Sequence, residues 1–382
     1  MAIGPLNATA TVATTLPVQP VAEAGAVRQL VGRLVALAQT TLGAQNPQPA
    51  LSPEARLIQA VAAAVQAAAP RQGGLGPLMA DLRQAVAALP PSVQAAAVRV
   101  LAMQTPLGPA VTGAEVKAAF SQSGLFLEAR MAAAAQAAAA GQAAPAPPID
   151  LKAALLIARG VLARWTETAA EPEAAAPPTP AQAAAQQASA RPAGPPPPPP
   201  LRQAPPSAQP QAQPSLAPDA AAPRAARRLL QETDAALARQ ELFQAASLPE
   251  ALQTGARRSE VASPHWLFEV PFTSAQGQGV AQFEIEGDGD AGRPGATRAW
   301  RARFSLDIEP LGPLHAQLAL VGRRAGVSLW AERPESAAQL KAWQGLLAEA
   351  LEAADYFPEV AVIAGAPPRA PAPAGAFVDR TS

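Results

Sequence analysis

Residues 300–331 read WRARFSLDIEPLGPLHAQLALVGRRAGVSLWA, and this stretch decides the fold. Trp300, Ala302, Phe304, Leu306 and Ile308 alternate with Arg301, Arg303, Ser305 and Asp307. That is the period of two expected of a strand with one apolar and one polar face. Glu309-Pro310-Leu311-Gly312-Pro313 then breaks the run, and a second alternation begins with Leu314, Ala316, Leu318 and Leu320. After Gly322 to Gly326, which holds Arg323-Arg324, a third short strand spans 327–331 and leads into a helix.

The elements on either side extend this unit. Trp266, Phe268, Val270 and Phe272 alternate, Gly277-Gln278-Gly279 turns the chain, and Ala281, Phe283 and Ile285 alternate again, which predicts a hairpin. On the other side Leu340, Trp343, Leu347, Ala350 and Ala354 lie at helical spacing behind Pro334. Ser336 and Gln339 there have the spacing of a capping box. Tyr356-Phe357-Pro358 ends that helix, and 360–363 can return as a last strand. The expected C-terminal domain, 261–365, is a small antiparallel sheet with a packed helix, so the fold class is α+β.

Upstream, residues 21–165 predict alanine-rich helices cut by Pro and Gly. Val27, Leu30, Leu34, Leu37 and Thr41 mark the first, and Leu57, Val61, Val65 and Ala68 the second, behind Ser52-Pro53-Glu54. Leu78, Leu82, Val86 and Leu89 mark a third, 93–103 a fourth, and 114–140 a long fifth interrupted at Gly124. A sixth starts at Asp150 and runs to Trp165. Thin apolar stripes of this kind predict loose packing. Residues 166–223, with the run Pro195 to Pro200, predict a disordered, semi-rigid spacer reaching up to roughly 180 Å in polyproline II. A helix and connector are expected at 224–260, a disordered tail at 366–382, and a disordered, uncharged leader at 1–20.

Composition narrows the function. The chain has 382 residues, no cysteine and two histidines, His265 and His315, which excludes disulfides, thiolate metal sites and a histidine metal cluster. Residues 261–366 hold 8 basic and 13 acidic side chains, an excess of five negative charges, which argues against nucleic-acid binding. No window is apolar enough for membrane insertion. Asp288 and Asp290 sit in a Gly-rich loop without the further ligands a calcium loop needs. His315, beside Gln317 on a polar strand face, is expected at the surface, and no catalytic motif, cofactor site or metal site is predicted. Trp330 is a candidate contact residue, with burial under the helix as its alternative.

The order strand, Pro-Leu-Gly turn, strand, short strand and helix, behind a Pro-rich linker, resembles the C-terminal domain of bacterial flagellar hook-length control proteins. Leu306, Ile308, Pro310, Leu311 and Gly312 match that family's signature, although the turn is two residues shorter and Pro313 follows the glycine. The resemblance spans about 260–365, with fainter echoes at 123–130 and 150–156.

The resemblance implies a secreted molecular ruler, not an enzyme, that is a monomer and needs no cofactor. Such a protein is cytoplasmic before export and then leaves through the flagellar type III channel. Its N-terminal region meets hook and hook-cap proteins, and its C-terminal domain meets the cytoplasmic domain of the export gate and switches export from hook to filament substrates. The partner-binding residues expected on this reading are Glu309, Pro310, Leu311, Gly312, Pro313, Leu314 and Trp330. Fully extended, the 223 residues before the last region reach on the order of 700 Å. A needle-length ruler of a virulence type III system shares this physics. An envelope-spanning Pro-rich adaptor would need a membrane helix, for which 1–20 is too polar and broken.

Overall fold

The six-stranded unit predicted for the C-terminal region folds in the expected order and gains a seventh strand from the helical region. The computed structural model describes residues 52–108, 111–141, 149–168, 197–202, 204–249, 263–287 and 298–368. The expected leader, the first helix, the loop with Asp288 and Asp290, residues 169–196 and the last part of the tail lie outside the described residues.

The helices are α1 (Pro53–Ala68), α2 (Leu75–Ala85), α3 (Pro91–Leu101), α4 (Gly113–Ser121), α5 (Leu127–Ala139), α6 (Leu151–Thr168), α7 (Ala222–Ala246) and α8 (Pro334–Ala353). Local chemistry explains several starts. Ser52 Oγ accepts from the Ala55 amide ahead of Pro53, and Thr112 and Glu115 form a reciprocal capping box. Asp150 accepts from the Ala153 amide at the head of α6. The predicted fifth helix is two helices, because the chain turns at Gly124 with φ +92°, where any Cβ would meet the Lys152 backbone.

Strands β1 (Thr105–Pro106), β2 (His265–Ser274), β3 (Gly277–Gly287), β4 (Ala299–Ile308), β5 (Gly312–Val321), β6 (Arg324–Ala331) and β7 (Phe357–Ala364) form one sheet in sequence order. Strands β2 to β6 are antiparallel as expected, but β7 runs parallel to β6. The crossover through α8 imposes that direction, since a helix returning along the sheet brings the chain back to its starting end. β1 adds a parallel edge beside β2.

The register gives the sheet two unlike faces. On one, Trp266, Phe268, Phe283, Ile285, Trp300, Phe304, Leu318, Leu320, Leu329 and Val362 stand in continuous rows. On the other, the row Glu269, Gln282, Ser305, His315, Trp330 and the row Leu267, Glu284, Arg303, Gln317, Ser328 are largely polar.

The helical region packs against the polar face. Leu75, Leu78, Met79, Leu82, Val100, Leu155, Leu162 and Leu229 are almost fully buried in one core that also takes in Val280 of β3. This packing is closer than the thin alanine stripes suggest, because small side chains let α6 approach α7 and α3 and leave leucines to fill the seam.

The described part of the Pro-rich segment expected as a semi-rigid spacer is held against the folded core. Residues 197–201 and 205–215 run without helix, strand or turn between helices and sheet, and several of their carbonyls and polar side chains are bonded on both sides. Pro197 O accepts from Gln72, Pro198 O from Arg239, and Pro206 O from Ser305. Ser215 and the Leu216 amide donate to the buried Asp81 carboxylate. Proline suits this role, since it keeps the backbone extended while offering only acceptors.

Candidate partner-binding site

The β4–β5 connection is a turn whose shape is imposed from α8. Gly312 has φ +72°, and a Cβ there would run into the Arg333 guanidinium, so both conformation and space demand glycine. The Glu309–Pro310 peptide is cis. Arg333 forks onto both Glu309 carboxylate oxygens at 2.8 Å each and donates to Pro310 O at 2.9 Å. Ser336 Oγ donates to Leu311 O at 2.7 Å, and the Glu332 amide donates to Pro313 O. Ser336 therefore braces the turn and does not act as the helix cap, because α8 starts two residues earlier at Pro334.

Arg333 sets the electrostatics of the tip. Its hydrogen bonds hold the exposed Glu309 carboxyl below the usual range, and the same pairing raises Arg333. Asp307, two residues before, is pushed the other way by burial first and by Glu309 second. A carboxylate readily ionised at the surface thus sits beside one that resists ionisation.

The seven residues expected to meet a partner are only partly gathered here. Glu309 and Pro310 are exposed at the tip, Leu311, Pro313 and Leu314 are half-buried, and Gly312 is buried. Trp330 lies on the polar face, opposite His315 in register, whereas Leu314 belongs to the apolar face. Trp330 is not buried under α8, which covers the other side of the sheet. It lines a cavity of about 250 Å3 with Pro205, Pro206, Ser305, His315, Pro367 and Pro368.

His315 is buried, in contrast to the surface position expected for it, because Pro206 lies across its strand. Its Nδ1 is 2.7 Å from Ser305 Oγ and its Nε2 is 3.0 Å from Glu332. The order serine, histidine, carboxylate has the look of a nucleophile relay. Ser305, however, is 2% exposed and its hydroxyl donates to Pro206 O, so the group is a clasp for the extended segment. His265, Glu284 and Glu286 also come together, but Arg303 pairs with Glu284 and Arg301 with Glu286, so arginines supply the positive charge a cation would bring.

Sequence reasoning passed over the pair that ties the site's scaffold to the helices. Arg239 on α7 meets Glu269 on β2 at 2.7–2.8 Å, both almost wholly buried, and Arg239 also donates to Gln72 and Pro198 O. Its signal was Glu269 itself, a charge within Trp266 to Phe272, otherwise apolar on both faces.

Residues 291–370, which hold the turn, Arg333 and Trp330, match the family model described as "Flagellar hook-length control protein FliK". No curated protein matches the chain, and no solved structure does. Among the described residues no helix is long and apolar enough to cross a membrane.

Proposed function

We propose, from the match of residues 291–370 to the flagellar hook-length control model, that the chain acts as a secreted ruler and as the switch of type III export from hook to filament substrates. The domain is of a kind that regulates export. The ruler, the switch and the partners are our reading of how this chain carries that role.

The observation behind it is the exposed Glu309–Pro310 tip, held from beneath by Arg333 and Ser336 within the matched segment. A preformed tip loses little entropy on docking, which favours recognition by a folded partner such as the export gate's cytoplasmic domain. The remaining features accord with export: no cysteine that could crosslink the chain, and an alanine- and proline-rich N-terminal half able to extend. On this reading the N-terminal region samples hook and hook-cap proteins while the sheet domain waits for the gate.

Replacing Pro310-Leu311-Gly312 by serines is expected to leave export of the chain intact and to produce overlong hooks without filaments. Hook lengths measured by electron microscopy that stay normal would overturn the reading. Circular dichroism of the purified variant separates lost recognition from lost fold.

A further inference from the structure

Helix α8 has two apolar sides and the sheet fills only one of them. Ala337, Leu340, Gln344, Leu347, Ala348 and Leu351 are buried or half-buried toward β6 and β7. Gln339, Trp343, Leu346, Ala350 and Ala353 are exposed. Their spacing alternates between four and three residues, which draws one line along the helix, the spacing by which helices pair with one another. Trp343 is 48% exposed and Leu346 64%. The line has a direction relative to the sheet. Ser336, bonded to the Leu311 carbonyl, marks the side of α8 nearer β5, and Gln344, bonded to the Val360 carbonyl on β7, marks the other. Trp343 stands seven residues, two turns, after Ser336 and so shares its side.

That side overlooks an apolar trough. Over β2, Phe120 at the end of α4 packs against Trp266 and Phe268. Between it and α8, Phe283, Ile285, Trp300, Phe304, Leu318 and Leu320 of β3–β5 are half-exposed, and no helix of the described residues packs closely above them. β2 and β6 are four strand spacings apart, roughly 19 Å at about 4.8 Å each. A helix set roughly 8–10 Å from α8 fits that gap.

The chain therefore carries an apolar ridge and, next to it, an apolar trough of the ridge's own width. Two copies satisfy both at once. A two-fold axis running along the strands, midway between trough and α8, lays each α8 in the other copy's trough. It also sets the two helices side by side and parallel, meeting through Trp343, Leu346 and Ala350. The area suffices. The floor of three strands over eight residues measures about 14 Å by 26 Å, and α8, about 30 Å long and about 10 Å wide, adds nearly as much. Together they come to roughly 670 Å2 per copy, close to the about 800 Å2 of a standard interface.

Charge fits the same arrangement. Strand pairing places the end of α8 and the start of β7 level with Arg324, Val321 and Ala299. At that end of the floor the Arg298 guanidinium lies over the Trp300 ring at 4.6 Å. Glu349, exposed on α8 one turn before its end, is carried by the parallel pairing over the second copy's Arg298. An antiparallel pairing sends it to the opposite end.

We propose that the protein forms a two-fold dimer through the apolar face of its sheet, each α8 seated in the trough over β3–β5 of the second copy, in place of the monomer implied by the resemblance. Both β4–β5 turns then stand at one end of the pair.

The test uses the full chain. Sedimentation velocity over a roughly hundredfold range of concentration is expected to show a monomer and dimer in equilibrium; a chain that stays monomeric throughout overturns the proposal. Leu346→Asp, at a position the fold of one copy leaves exposed, is expected to weaken dimerisation at least tenfold with an unchanged circular dichroism spectrum. A dimer of full affinity in that variant lies elsewhere and sinks the idea. The natural chain has no cysteine, so single cysteines report the seam directly. Leu346→Cys is expected to link two copies under mild oxidation, whereas Lys341→Cys, on the far side of α8, is not, and equal yields count against the two-fold seam. Arg298→Glu is expected to weaken the dimer and Glu349→Arg, added to it, to restore the loss; a double variant as weak as the single would show that the helices do not run parallel as proposed. All of these are measured on isolated protein, so an incorrect export role leaves their outcome intact.

Discussion

The two faces of the sheet invert the usual relation between polarity and burial. The face carrying Glu269, Gln282, Glu284, Ser305 and His315 is closed beneath α7 and the extended segment, while the face of Phe283, Phe304, Leu318 and Leu320 is half-open. Burying charge is expensive unless each group is paired, and here each charge has a named partner: Arg239 for Glu269, Arg303 and His265 for Glu284. The difference teaches that the covered face is a fitted joint between two parts of one chain. Uncovered, its residues return to water without adhering to one another.

This contrast can be broken most severely at its centre. Arg239→Met leaves Glu269 buried without its partner and is expected to destabilise the protein by about 3–5 kcal/mol in urea unfolding. Adding Glu269→Leu should restore much of the loss, and a double variant no better than the single would show that the joint depends on more than the pair.

The second test is pH. Glu232 on α7, buried near Asp81, has its carboxyl pushed up to about 8 by desolvation first and by Asp81 second. Its folded-state pKa lies above the unfolded value, so the folded form holds the proton more tightly. That contribution is complete below the unfolded pKa and is lost as pH rises from about 4.5 through about 8. Stability should fall over this range by at most roughly 1.4 kcal/mol per pH unit, and Glu232→Gln should flatten the slope.

A smaller effect is expected on the open face. Phe304→Ala removes a ring that is only half-buried between Phe283 and its neighbours, and should cost about 1–2 kcal/mol, less than the roughly 3–5 of a closed core. A loss as large as that of Arg239→Met would mean that this face is covered as tightly as the other.

Much of the architecture was legible from residue patterns alone. The alternation from Trp300 to Ala331 set three strands, and Ser52-Pro53-Glu54 set the start of α1, because both are local effects of pleat and capping. The turn was legible for the same reason, since Pro310 and Gly312 state their own conformations. What supports it was not: Arg333 and Ser336 reach it from 24 and 25 residues away. The polar row hid a further difficulty. Alternation separates two faces of a strand but does not say which will be covered, and here the cover came from Pro-rich chain that carries no helical or strand signal. His315 was misplaced at the surface on that account.

The long reach of these contacts bears on when the molecule can take shape. Arg239 meets Gln72 across 167 residues, and Ser215 meets Asp81 across 134. Closing loops of that length precedes any reward from the contacts they bring, so folding of the joint is slow compared with that of its helices. At a synthesis rate of roughly 5–20 residues per second, the first helices emerge well before Arg239 and Glu269 exist. For seconds the nascent chain exists without the joint that holds its helices to the sheet.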